Sequence, residues 1–110
     1  MEIYNYMTFG GKDVIETYID RLPGREQTKI RDTIEKIHIY GLEAFQEKMI
    51  ITRPLQGKLW EIKISDTRIL YMIRDSRSVY FLNICRKTKG YAEKREIRLA
   101  LKRAREEGFI

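Results

Sequence analysis

The chain predicts an α+β domain, with helices packed on a small antiparallel sheet in the order β-α-α-β-β-β-α. Three observations predict it. Apolar residues recur at helical spacing in three segments, and runs of period-two alternation are separated by short polar turns. The whole is 110 residues, enough for one core and too little for two, so residues 1–110 read as a single domain.

Taken in order, "EIYNYMT" at residues 2–8 reads as a first strand, ended by Gly10-Gly11. A helix follows near residues 12–22, where Ile15, Tyr18, Ile19 and Leu22 keep i, i+3, i+4, i+7 spacing. Pro23 and Gly24 break it, and a second helix runs from about Arg25 to Tyr40 with Ile30, Ile34 and Ile37 on one side. The short link makes the two an antiparallel hairpin. Residues 41–57 are the least periodic, yet too apolar for a free linker, and are expected to lie against the domain with an extra turn of helix. Strands are then expected near Lys58–Ile64, Arg68–Arg74 and Ser78–Cys85, an antiparallel meander by virtue of its short turns. In the first of these Trp60, Ile62 and Ile64 share one face, which assigns Trp60 to the core, while Leu59, Glu61 and Lys63 share the other. The last helix spans Tyr91–Glu107, with Ile97, Ala100, Leu101 and Ala104 facing inward and Arg95, Arg98, Lys102 and Arg105 opposite. The terminal "EEGFI" reads as a frayed end.

Composition excludes several classes. No run approaches the roughly 18 apolar residues that span a bilayer, and the N-terminus lacks the basic start and apolar stretch of a signal peptide, so a cytoplasmic protein with no membrane partner is expected. The single Cys85 allows no internal disulfide and reads as a small buried hydrophobe. The single His38, flanked by Ile37 and Ile39 on a helix, reads as structural; no zinc spacing, phosphate-binding glycine loop or nucleophile elbow is present. No metal and no small-molecule cofactor is therefore expected. Charge points elsewhere. The net charge is +6, and residues 86–110 hold 9 Lys/Arg against 4 Asp/Glu where residues 1–85 hold 13 against 12. A polyanionic partner fits that imbalance.

Cations and a phenol remain as the available chemistry. They suit phosphodiester transfer within RNA, because the ribose 2′-hydroxyl is the substrate's own nucleophile; the protein must align it, neutralise charge and move protons. Arg offers a planar fork of donors matched to phosphate oxygens. With Asp66-Thr67 as the turn and Ser65 opposite Arg68, Lys63 and Arg68 share a face, and Arg86 and Lys87 arrive beside Arg68 from the next strand. Lys63, Arg68, Arg86, Lys87 and Tyr91 are thus expected around one edge of the sheet.

The stretches "LWEIKI…TRILYMI" and "VYFLNICRKTKGYAEKREIRLALKR" resemble the RelE/ParE superfamily of toxin–antitoxin toxins, closest to its HigB-like, phage-derived branch, over residues 55–104. The resemblance implies a RelE-like β-α-α-β-β-β-α fold and a metal-independent, ribosome-dependent mRNA endonuclease paired with a cognate antitoxin; ribosome and mRNA would be its other partners. It puts catalytic roles on Lys63, Arg68, Arg86 and Tyr91: transition-state charge for the two arginines, proton transfer or phosphate binding for Lys63, base stacking or acid–base work for Tyr91. Lys58, Lys87 and Lys89 would be RNA contacts. Two departures stand out. Asn83 replaces a histidine found in some members of that branch, and the branch's proline is missing from "KGYAEK". These leave open a non-enzymatic, ParE-like toxin that binds DNA gyrase, or an inactive relative serving as a nucleic-acid or antitoxin-binding module.

Overall fold

The computed structural model describes residues 1–89 and 92–110. Its elements are β1 (Glu2–Asn5), α1 (Val14–Asp20), α2 (Gly24–Tyr40), α3 (Leu42–Gln46), β2 (Ile51–Gln56), β3 (Leu59–Ile64), β4 (Thr67–Asp75), β5 (Ser78–Arg86) and α4 (Lys94–Glu106). The α+β class is the one the sequence predicts. Five strands form one sheet in the order β1-β5-β4-β3-β2. The β2–β5 pairings are antiparallel, but β1 joins β5 in parallel, from Glu2 opposite Ser78 to Asn5 opposite Phe81, so the sheet is mixed. A parallel partner needs a long connection, which all the intervening chain supplies.

β2 is a strand that the sequence pattern does not reveal, because Pro54 argues against one. Proline is tolerated where it sits: β2 is an edge, and its register with β3 shifts between Pro54 and Gln56. The extra helical turn expected after Gly41 is α3.

Helices cover both faces of the sheet. On one side Ile15, Ile19, Ile30 and Ile37 of the α1–α2 pair pack on Ile62, Ile64, Ile69, Tyr71, Phe81 and Ile84. Asp13 caps α1, its Oδ1 accepting from the backbone N–H groups of Ile15 (3.0 Å) and Glu16 (2.9 Å), and Arg31 of α2 reaches back to Glu16 at 2.6 Å. On the other side Ala100 and Ala104 of α4 bring its backbone close to Leu59, Leu70, Met72, Leu82 and Cys85. Alanines permit that approach, and Ile97 and Leu101 fill the margins. Arg103 locks the helix laterally: Nη1 donates to Leu82 O at 2.9 Å and to Asn83 Oδ1 at 3.2 Å, while the guanidinium lies 4.6 Å from the Tyr6 ring centre.

Three expectations need correction. Trp60 does share a face with Ile62 and Ile64, but it stands near the start of β3 at an open cleft beside α3 and is 37% exposed. The "EEGFI" terminus is anchored: Gly108 at φ 78 lets Phe109 N–H return to Ala104 O (2.9 Å) and its own N–H to Arg105 O (3.1 Å), and the Phe109 ring packs edge-on against Tyr80 at 4.9 Å. The β3–β4 turn is Ser65-Asp66 rather than Asp66-Thr67, since Ile64 pairs with Thr67. Among the described residues no helix is long and apolar enough to cross a membrane.

Candidate functional site

The two-residue shift at that turn preserves strand parity, so Lys63 and Arg68 share a face as expected and now stand directly opposite each other. Their environments differ completely. Lys63 is exposed and borders a shallow cleft of about 230 Å³ with Ile51, Thr52, Arg53 and Glu61. Arg68 is sealed, with 0% of its surface exposed. Its Nη1 donates to Ser65 O (2.9 Å) and Thr67 O (3.0 Å), and its Nε lies 3.6 Å from Glu61 Oε2. Glu61, also buried, accepts from Ala92 N–H at 3.2 Å and meets Arg53 at 3.3 Å. A buried carboxylate must be compensated, and these groups do so while joining β2, β3, β4 and the approach to α4.

Arg86 and Lys87 reach the same hairpin tip from the end of β5. Arg86 Nη2 lies 3.3 Å from Asp66 Oδ2 and Lys87 Nζ 3.4 Å from Asp66 Oδ1, while Lys87 N–H donates to Asp66 O at 2.8 Å. The expected convergence of Arg68 with Arg86 does not occur. Arg68 pairs with Cys85 and Arg86 with Thr67, and successive residues alternate faces: Arg68 points beneath α4, and Arg86 points toward α2, 3.9 Å from Glu26. In this arrangement Arg68 offers no surface to a ligand. Lys58, in the β2–β3 turn, is separated from Lys63 by the length of β3, roughly 16 Å, and so stands apart from the group. Lys89 is exposed at φ 54 in the loop after β5. Tyr91 lies outside the described residues.

A second cleft, of about 330 Å³, opens beside Arg86 and Lys87 and is bordered by Tyr18, Thr88, Glu93, Arg95 and Glu96. Burial raises the Tyr18 phenol above its usual range, with Cys85 adding to the effect. It therefore keeps its proton at neutral pH and can donate a hydrogen bond but cannot act as a base. Burial also pushes the Cys85 thiol up to about 12, with Glu96 and Glu61 contributing, which removes it as a nucleophile. Asn83 is a packing junction: Nδ2 donates to Glu96 Oε2 at 2.7 Å and Oδ1 accepts from Ile84 N–H at 2.9 Å.

Sequence reasoning missed Arg53, Asp66 and Tyr18 as parts of this region. Arg53 is hidden in the unperiodic segment before Pro54. Tyr18 was legible only as a helix-face apolar residue, and Asp66 only as a turn residue.

Fold and site together define a small α+β domain with helices on both faces and cations crowded at the tip of one hairpin. Residues 17–105 match the model of the phage-derived protein Gp49-like family (DUF891), and the chain belongs to that family. The family is associated with the toxins of toxin–antitoxin systems. A comparison with curated proteins gives no match.

Proposed function

We propose that this chain is the toxin of a toxin–antitoxin pair and cuts mRNA on the ribosome without a metal. The observation that carries the reading is the pair of exposed cations at the β3–β4 tip, Arg86 and Lys87 around Asp66, at a hairpin end held from within by Arg68; Lys63 opens on the other face of the sheet from Arg86. In the proposed reaction the 2′-oxygen attacks the adjacent phosphorus and the bond to the 5′-oxygen breaks. A 2′,3′-cyclic phosphate and a 5′-hydroxyl result, the 2′-proton passing to a base and the 5′-oxygen gaining one from an acid. Lys63, open on the other face from Arg86, is left with a flanking phosphate contact, a change from the catalytic role the resemblance implies. Arg86 and Lys87 meet the charge that builds on phosphorus, leaving Asp66 to do so. Arg68 acts as a positioning residue that holds the turn, a change from the direct role the resemblance implies. Tyr91 retains the stacking or proton-transfer role that the resemblance suggests.

An antitoxin is the proposed partner. A cleft of about 340 Å³ beside Trp60, lined by Leu42, Phe45, Tyr71 and Ile73, suits apolar side chains from a bound helix or strand.

The sealing of Arg68 favours one second reading, a non-enzymatic toxin that acts by binding DNA gyrase. One experiment separates them. Induced wild-type chain should halt growth and leave new 5′ ends in translated mRNA, and Lys63→Ala with Lys87→Ala should abolish both. Growth arrest with intact mRNA and gyrase-linked DNA breaks would select the second reading. Normal growth would leave only a binding module.

A further inference from the structure

We propose that the outer ridge of α4 is a docking surface for the sugar–phosphate backbone of double-helical RNA, separate from the hairpin-tip site. Lys94, Arg98, Lys102 and Arg105 fall within about 80° of arc at 100° per residue, on a ridge about 16 Å long. All four are exposed. Of the acids of the same helix, Glu96 faces the sheet and accepts from Asn83, while Glu106, one turn beyond Lys102 at the border of the ridge, is engaged by the Tyr6 hydroxyl at 2.6 Å. Glu107 acts on Tyr80. A helix that merely needs solvation intersperses both signs. Here Lys94–Arg98 and Arg98–Lys102 are like-charge pairs at i, i+4, which destabilise a free helix and become favourable only beside an anion.

The kind of anion follows from what accompanies the cations. The apolar side of α4 is committed to Leu59, Leu70, Met72 and Leu82, so the helix has no face with which to enter a lipid surface. The ridge presents no aromatic ring on which unpaired bases could stack, as single-strand binders require. A rigid line of Lys and Arg suits a regular backbone read without regard to sequence. The ridge begins at Lys94, next to the cleft bordered by Arg86, Lys87 and Glu93. Structured RNA held there would place a flanking strand at the hairpin tip.

The inference rests on the proposed RNA-directed function, but it is read out by binding and not by cleavage. The purified chain is titrated against an RNA duplex of about 20 base pairs and arbitrary sequence, over a salt series. Replacing all four ridge cations with Gln should weaken binding at about 0.1 M salt by at least about tenfold and flatten the log–log salt slope by roughly two to four units. A control with Gln at the exposed cations Arg25, Lys29, Lys36 and Arg77 changes net charge equally and should leave most of the affinity. Unchanged thermal unfolding certifies the fold of both. Equal affinity and slope for ridge variant and control overturn the proposal. So does ridge dependence that is confined to single-stranded RNA or anionic vesicles, or stronger for a DNA duplex than for RNA. Loss of duplex binding together with intact mRNA in growing cells would separate failure of the catalytic reading from failure of this one.

Discussion

Arg68 and Glu61 lie 3.6 Å apart on adjacent strands, both closed off from solvent, under the segment that leads into α4. The pair explains why a cation that resembles a catalytic arginine is inaccessible. It serves the turn and a buried carboxylate.

Arg68→Ala should therefore act first on stability. Breaking a buried pair from one side costs on the order of 3–5 kcal/mol. The lower end is expected here, because Glu61 keeps Arg53 and the Ala92 N–H. Adding Glu61→Gln should recover part of that loss in a double-mutant cycle followed by urea unfolding. A variant with the wild-type urea midpoint and no activity would instead put Arg68 on the substrate.

Cys85 should resist alkylation. With its thiol pushed up to about 12 by burial, the thiolate fraction at pH 8 is about one in ten thousand. Iodoacetamide should label the native chain far more slowly than the urea-unfolded chain, by mass spectrometry. The raised value also has a stability consequence: the protonated thiol favours the fold below the unfolded thiol's range, and that contribution is lost as pH rises toward the folded value.

Asp75 makes the β4–β5 hairpin sensitive to acid. Its Oδ1 accepts from Arg77 N–H at 2.8 Å and Ser78 Oγ at 2.9 Å, and the Arg77 backbone bond is the main cause of its lowered pKa. A depressed carboxyl contributes stability above its unfolded range that disappears as pH falls through the folded value. Asp75→Asn should thus flatten the fall in urea midpoint between about pH 6 and pH 2. An acid limb as steep as wild type would show that other carboxylates dominate.

Trp60 is the sole tryptophan, and its partial exposure at the Leu42–Phe45–Tyr71 cleft makes it a reporter. Acrylamide should quench it readily in the isolated chain. A co-expressed antitoxin that fills the cleft should shift its emission to the blue and slow quenching. Tight binding with unaltered Trp60 emission would place the antitoxin elsewhere.

Local pattern was enough to find most elements. Ile15–Ile19 and Ile30–Ile37 repeat at helical spacing, and the β3–β5 strands alternate between short turns, so these segments declare themselves within a dozen residues. β2 did not, since Pro54 conflicts with a strand until the fold puts it on an edge. The face shared by Lys63 and Arg68 was legible because a two-residue shift keeps parity. Their unequal exposure was not. It depends on what packs over each position: Arg68 has no exposed surface and is tied to Ser65, Thr67 and Glu61, while Lys63 opposite it is open.

By itself the sequence determined the class of fold, the strand faces and the gathering of positive charge toward the C-terminal quarter, because these follow from periodicity and composition. Only the tertiary structure decided which cations reach solvent. Arg68 and Arg86 begin on paired strands but depart to opposite faces, one beneath α4 and the other toward α2. Burial is a property of what packs above a residue, and no short-range pattern encodes that.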